Sequence, residues 1–267
     1  MEVFNIVEPV GKKVPILISS PHSGTNFPDE LKDQFIAEKR RRPDDADWFI
    51  HQLYDFAPEM GITMITANYC RWVIDLNRDP ESKPLYNDGR IITSLCPHTD
   101  FFGEPIYNQQ GYIPDDAEVD RRRKAYYDPY HGKIASILAD LKGEFGTAIL
   151  FDAHSIRKHV ETINKEAFPD LILGTNDGKT ASEQVIQAAK SALEGNAYSF
   201  AYNHPFKGGQ ITRFFGDPMN NIHAIQLEQA KTNYMDDKEV NYAPERAENI
   251  RKVLQQLFSN IIATLQK

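Results

Sequence analysis

Val14-Pro15-Ile16-Leu17-Ile18-Ser19-Ser20 is an apolar run that stops abruptly at Pro21-His22-Ser23-Gly24. A short apolar stretch closed by proline and glycine reads as a buried central strand that delivers a polar loop at its carboxyl end. The pattern returns at Thr147-Ala148-Ile149-Leu150-Phe151, which ends in Asp152-Ala153-His154-Ser155, and again at 222–227, which ends in Glu228. Three apolar strands, each followed by a titratable or metal-capable side chain, set the framework for the rest of the chain.

Around them, further strands are expected at 62–66, 72–74 and 171–173. Helices are expected at 47–56, with Phe49, Ile50, Leu53 and Phe56 on one face, and at about 181–193. Another spans about 116–142, with Pro129 and Gly132 expected to break or kink it midway. The last helix is the clearest. Ile250, Val253, Leu254, Leu257, Phe258, Ile261, Ile262 and Leu265 recur at helical spacing, and Pro244 sits near its start. Strands alternating with helices indicate an α/β protein with a mostly parallel sheet flanked by helices. No repeat or Gly/Ser linker divides the sequence, so residues 1–267 read as a single domain. The segment 79–115 is rich in Pro, Gly and Asn without periodicity, and loops of that length are often functional.

The chain has 267 residues, 41% of them apolar and 25% charged, with 30 Lys and Arg against 38 Asp and Glu, a net charge of −8. That balance argues against a nucleic-acid or membrane-surface partner, which calls for a basic face. No stretch approaches the about 18 apolar residues of a membrane span. The two cysteines, Cys70 and Cys96, lack CxxC spacing, and a reducing cytoplasmic setting fits them best. GxSxG, GxGxxG and GxxxxGK[ST] are all absent, which leaves serine-hydrolase, dinucleotide and nucleoside-triphosphate readings without support.

Ligand sites of open α/β sheets collect beyond the carboxyl ends of the strands. His22, His154 and one carboxylate from Asp44-Asp45-Ala46-Asp47 would make a three-ligand zinc site with one position open to water. Asp152, two residues before His154 on the same side of the strand, is a candidate partner for its ring. The competing reading is that both histidines cap strand ends and the acids cap a helix. Arg71-Trp72-Val73-Ile74-Asp75-Leu76-Asn77-Arg78 places two guanidinium groups and an amide around a short apolar run, a grouping suited to gripping a carboxylate. A surface ion pair of Arg78 with nearby acids is the plainer alternative. Arg213, after the glycine pair Gly208-Gly209, is a further candidate anion contact. The basic runs at 40–42 and 121–124 lie beside acids and read as solvated helix faces.

Taken in order, Pro21-His22-Ser23-Gly24, Asp45-Ala46-Asp47-Trp48, Arg71 to Arg78, Asp152-Ala153-His154-Ser155 and Leu227-Glu228 resemble the N-formylglutamate amidohydrolase family. The resemblance runs from about Pro15 to Met235, and its Asp-Leu-Asn-Arg and separated histidines are also similar to zinc carboxypeptidase and aspartoacylase-like hydrolases. It implies a phosphorylase/hydrolase-like α/β fold, one catalytic Zn2+, and cleavage of N-formyl-L-glutamate to formate and L-glutamate in histidine degradation. It further implies His22 and His154 as ligands, Asp47 as the carboxylate ligand with Asp45 in reserve, and Glu228 as general base and then proton donor. Asn77 and Arg78 would hold the substrate carboxylate, with Arg71 and Arg213 as additional contacts. The chain lacks the His-x-x-Glu of the carboxypeptidases, since Ser23, Gly24 and Thr25 follow His22. Two alternatives stay open: hydrolysis of another N-acylamino acid, and a small-acid binding protein without catalysis.

Overall fold

The computed structural model describes residues 2–85 and 93–265. Seven strands form one mixed sheet: β1 (Phe4–Val7), β2 (Ile16–Ser20), β3 (Thr63–Ala67), β4 (Ala148–Ile156), β5 (Leu171–Gly174), β6 (Phe200–Tyr202) and β7 (Ile222–Ala230). Their order is β1-β3-β2-β4-β7-β5-β6. The centre, β3-β2-β4-β7, is parallel, while β1 runs antiparallel to β3 and β5 antiparallel to β7. The helices are α1 (Ala37–Arg41), α2 (Ile50–Leu53), α3 (Asp116–Arg122), α4 (Asp128–Phe145), α5 (Glu183–Leu193), α6 (Gln210–Phe215) and α7 (Pro244–Leu265). This is the α/β architecture expected from the alternation of strand and helix patterns.

The central strands are buried on both faces, so they read as continuous apolar runs. Successive side chains nevertheless part to opposite sides. Ile149, Phe151, Ala153, Ile225 and Leu227 pack under α2, α5 and α7 with Ile250, Leu254 and Phe258. Ala148, Leu150 and Ala224 face the other way, against Tyr130, Ile134, Leu138 and Leu141 of α4 and Ile211 of α6. On this second side the register pairs Asp152 with Gln226 and His154 with Glu228. The face that is apolar at its middle therefore turns polar at its carboxyl edge.

Several local expectations are corrected. In place of the strand expected at 72–74, residues 71–73 form a turn, closed by Val73 N–H donating to Cys70 O at 2.9 Å, and Ile74 is irregular. The reason is occupancy: β2 is already flanked by β3 and β4, and β3 by β1 and β2, so neither can pair with the run, and the free edges lie at the two ends of the sheet, on β1 and β6. The helix expected over 47–56 runs only from Ile50 to Leu53, because Phe49 adopts a left-handed backbone that interrupts any earlier helical turn, while Asp47 N–H bonds His22 O at 2.8 Å. No break occurs at Gly132; instead a π-turn, Arg123–Tyr127, joins α3 to α4 just before Pro129. Pro129 lacks an N–H and cannot continue a regular helix from the preceding turn, and the wider turn accommodates it. Strands β1 and β6 and helix α6 were not foreseen. The first two are edge strands with half-exposed side chains, and α6 has only six residues. Strands β4 and β7 run past their expected ends, so His154 and Glu228 stand on the strands themselves.

Gly24 has no room for a side chain, because the backbone of Asn68 and Tyr69 occupies the place a Cβ would take. Gly24→Ala should force these backbones apart and cost about 1–3 kcal/mol, read as a lower denaturant midpoint. His131 of α4 stacks on Tyr127 at 3.9 Å and donates from Nε2 to Leu76 O at 2.8 Å. Burial lowers its pKa from 6.5 to about 4. Between these values the unfolded chain binds the extra proton, so stability is full above pH 6.5 and is lost as pH falls toward 4. His131→Gln should reduce the loss of stability between pH 7 and 5 by about 1–3 kcal/mol, measured by urea unfolding.

Candidate metal centre

Two strand ends and one loop bring the expected ligands together. His22 follows β2, His154 stands near the end of β4, and Asp47 is carried by the loop before α2, tied to the first by its hydrogen bond to His22 O. Asp47 Oδ2 lies 3.3 Å from His154 Nδ1 and 3.8 Å from His22 Nδ1, and the imidazole rings are 4.9 Å apart. The three side chains are buried, each offers one ligand atom, and these atoms lie within 4.8 Å of one another, so the group can hold a metal ion. Asp45, the alternative ligand, is engaged elsewhere: it accepts from Trp72 Nε1 at 2.8 Å and from Phe101 N–H at 3.1 Å.

The remaining ring nitrogens are held by further carboxylates. His22 Nε2 lies 2.7 Å from Asp75 Oδ1, and Asp75 also receives Arg71 Nη2 at 2.5 Å and Asn77 N–H at 2.9 Å. Although burial opposes its charge, Arg71 and Arg78 keep Asp75 well below the usual carboxylate range. Asp75 is then an acceptor only, His22 Nε2 must carry the proton, and Nδ1 keeps a lone pair facing Asp47. Two acceptors face each other across a buried gap, an arrangement that a cation reconciles. Burial and the charge of Arg71 lower the His22 pKa to about 4, which leaves a neutral imidazole suited to ligation.

His154 Nε2 lies 3.0 Å from Asp152 Oδ2, as anticipated for the residue two places earlier, and 3.0 Å from Asn77 Nδ2. Burial disfavours its charged form, yet Asp152 and Asp47 together hold the imidazole well above its ordinary value. The other oxygen of Asp152 is buried and has no hydrogen-bond partner among the described residues. Asp47 stays below its usual range, since the hydrogen bond from His154 and the nearby imidazole charge outweigh its burial.

His22, Asp47, His154, Glu228, Arg71, Asn77 and Arg78 all line one cavity. Glu228 makes no hydrogen bond among the described residues, and burial, reinforced by Asp47, raises its carboxyl to about 8. Arg71 lies against the ring of Phe101 at 4.7 Å, with Phe101 also in the cavity wall. Arg78 is braced by Thr93, through Nε to O at 3.2 Å and Nη2 to Oγ1 at 3.1 Å. Arg213 is not among the lining residues. It donates to Gly208 O at 2.8 Å and to Leu85 O at 3.0 Å, bracing the cavity's edge. The 79–115 segment, which supplies Leu85 and Phe101 to the wall, lies partly outside the described residues.

Sequence reasoning gave Asp75, Phe101 and Gln226 no role, yet they hold the His22 ring, cover Arg71 and line the cavity, respectively. Gln226 had a usable signal, since it stands two residues before Glu228 and so on the same side of β7. Phe101 had none.

Fold and site together define an α/β protein with a buried His–Asp–His centre, able to hold a metal, at the carboxyl edge of its sheet. Known proteins narrow this class. A family model described as N-formylglutamate amidohydrolase matches residues 14–235, and the chain belongs to that family. It is 42% identical over 255 residues to the N-formylglutamate deformylase of Pseudomonas aeruginosa, covering 94% of each chain. To that of Pseudomonas putida it is 40% identical over 253 residues, covering 94% of this chain and 93% of the relative. The crystal structure of N-formylglutamate amidohydrolase from Ralstonia eutropha matches with a TM-score of 0.83 at 25% identity, covering 100% of this chain and 99% of its own. A protein of Agrobacterium tumefaciens shares the fold, with a TM-score of 0.77 at 17% identity over 100% and 97% of the two chains.

Asp152→Asn should weaken divalent-metal binding about 10–100-fold, measured by competition with a chromogenic chelator. Unchanged affinity would separate Asp152 from the metal site.

Proposed function

We propose that this chain hydrolyses N-formyl-L-glutamate to formate and L-glutamate, using a zinc ion held by His22, Asp47 and His154. The carrying observation is the convergence of His22 Nδ1, His154 Nδ1 and Asp47 Oδ2 in a cavity that also holds Glu228. The relatives named N-formylglutamate deformylase, at 40–42% identity, support the substrate. Two imidazoles and one carboxylate, each imidazole backed by a further carboxylate, suit zinc in charge and softness. When bound, zinc supplies Lewis acidity, polarising a carbonyl oxygen and acidifying water.

Glu228 is the base. Its carboxylate has no competing hydrogen bond among the described residues, so it can take a proton from water as the water oxygen adds to the formyl carbon. The same proton then passes to the amide nitrogen as the carbon–nitrogen bond breaks, and L-glutamate leaves as the amine. Arg71 and Arg78 bind the carboxylates of the small anionic substrate, Asn77 shapes the wall beside them with its amide held by Ile211, Asp152 and His154, and the two guanidinium charges offset the negative charge of the whole chain. Arg213 acts at one remove, by holding the edge formed by Gly208 and Leu85.

Residues 1–267 work as a single catalytic unit in this reading. Both cysteines are buried thiols, which supports a cytoplasmic setting, and family membership supports a place in histidine degradation. No helix among the described residues is long and apolar enough to cross a membrane.

Glu228→Gln should retain one zinc per chain while turnover of N-formyl-L-glutamate falls about 10²–10⁴-fold. Chelation should abolish wild-type activity, and added zinc should restore it. Near-normal turnover in the zinc-loaded variant would remove Glu228 from the base role.

A further inference from the structure

Gln226 stands on β7 with its amide held at one end only. Its Oε1 accepts from Gly209 N–H at 2.7 Å, and because an N–H can be answered only by the oxygen, the amide cannot flip. Its Nε2 has no hydrogen-bond partner among the described residues, yet the residue is 5% exposed and lines the same cavity as Glu228. The backbone beside α6 orients a second amide in the same way. Ile211 N–H donates to Asn77 Oδ1 at 2.8 Å, which turns Asn77 Nδ2 toward Asp152 and His154. Asn77 Nδ2 is therefore engaged with protein groups, while the donor end of Gln226 is unengaged.

The position of that donor limits what it can meet. Gln226 and Glu228 share a face of β7, two residues apart, a separation of about 6–7 Å along the strand. Glu228 and His154 lie at the end where the amide is cut, so a group reaching Gln226 must be separated from the scissile carbon by several bonds. Gly209 packs against Asn77, and a Cβ there would collide with the Asn77 amide, so this wall cannot shift outward cheaply. Phe206 and Ile163 add apolar lining to the same cavity, which suits a methylene chain.

The geometry points to Gln226 as the residue that reads the far end of the substrate side chain, donating from Nε2 to the distal carboxylate of an N-formyl amino acid of glutamate length. This inference rests on the proposed deformylase reading and deepens it. A neutral amide donor adds no charge beside Glu228, so it selects for an acceptor at a set distance while the arginines supply the attraction for the anion.

The test compares N-formyl-L-glutamate, N-formyl-L-glutamine and N-formyl-L-norvaline, which share a backbone and differ at the side-chain terminus. Wild type should prefer the first over the third. Gln226→Met should lower kcat/KM for N-formyl-L-glutamate at least about ten-fold, mainly through KM, and leave N-formyl-L-norvaline within about three-fold. Gln226→Glu keeps the acceptor for Gly209 N–H, so it retains the local fold, and exchanges the free donor for an acceptor. Its preference should move to N-formyl-L-glutamine, whose terminal amide supplies the missing donor. If Gln226→Glu retains the wild-type preference, or if Gln226→Met lowers all three substrates equally, Gln226 does not read the terminus. A wild-type enzyme indifferent to the terminal group overturns the substrate reading itself, which separates the two failures.

Discussion

The parallel pairing of β4 with β7, in unbroken register from Ala148 with Ile222 to Ile156 with Ala230, is the constraint on which the site depends. Hydrogen bonds along this ladder leave no freedom to slide one strand against the other, because a one-residue slip would send every side chain to the opposite face. On one face the ladder begins with Ala148, Leu150 and Ala224, which anchor it against α4 and α6, and ends with Asp152, His154, Gln226 and Glu228. The apolar half holds the polar half in place. Burial of His154 is tolerated because the ladder sets it beside Asp152, and one end of Gln226 is met by Gly209 N–H, while the Glu228 carboxyl reaches the cavity with no hydrogen-bond partner among the described residues.

Charge balance explains why the buried cluster is stable enough to exist. Asp45, Asp47, Asp75 and Asp152 are nearly excluded from solvent, as is Arg71. Arg71 bonds Asp75 and adds its field at His22, Asp45, Asp47 and Glu228. Where that compensation is weakest, carboxyl groups are pushed up: Asp45 to about 6 and Glu228 to about 8, both mainly by burial. Where it is strongest, at Asp75, the carboxylate stays ionised and fixes the protonated nitrogen of His22. The environment therefore sets Asp75 and Asp47, whose charged forms it favours, apart from Asp45 and Glu228, whose charged forms burial disfavours.

Much of the site was legible because strand ends announce themselves. His22, His154 and Glu228 each follow an apolar run, and the acidic cluster before residue 50 is conspicuous in the sequence. The choice between Asp45 and Asp47 was not legible, since it turns on a hydrogen bond between Asp47 N–H and His22 O, residues far apart in the chain. The 72–74 run has a composition that suits a strand, while sheet membership depends on a neighbour with an unpaired side, which neither β2 nor β3 offers. Arg71, Arg78 and Arg213 look equivalent in one dimension, yet two line the cavity and the third braces its rim.

Local pattern determined the α/β class, the amphipathic final helix and the candidate residues at the strand ends, because apolar periodicity and residue type are properties of short segments. Tertiary structure alone decided which carboxylate meets the two imidazoles, which nitrogen of each ring faces Asp47, and that Gln226 presents a donor without a partner among the described residues. These depend on distances between residues remote in the chain and on competition for hydrogen-bond partners, and neither can be read until the chain has closed upon itself.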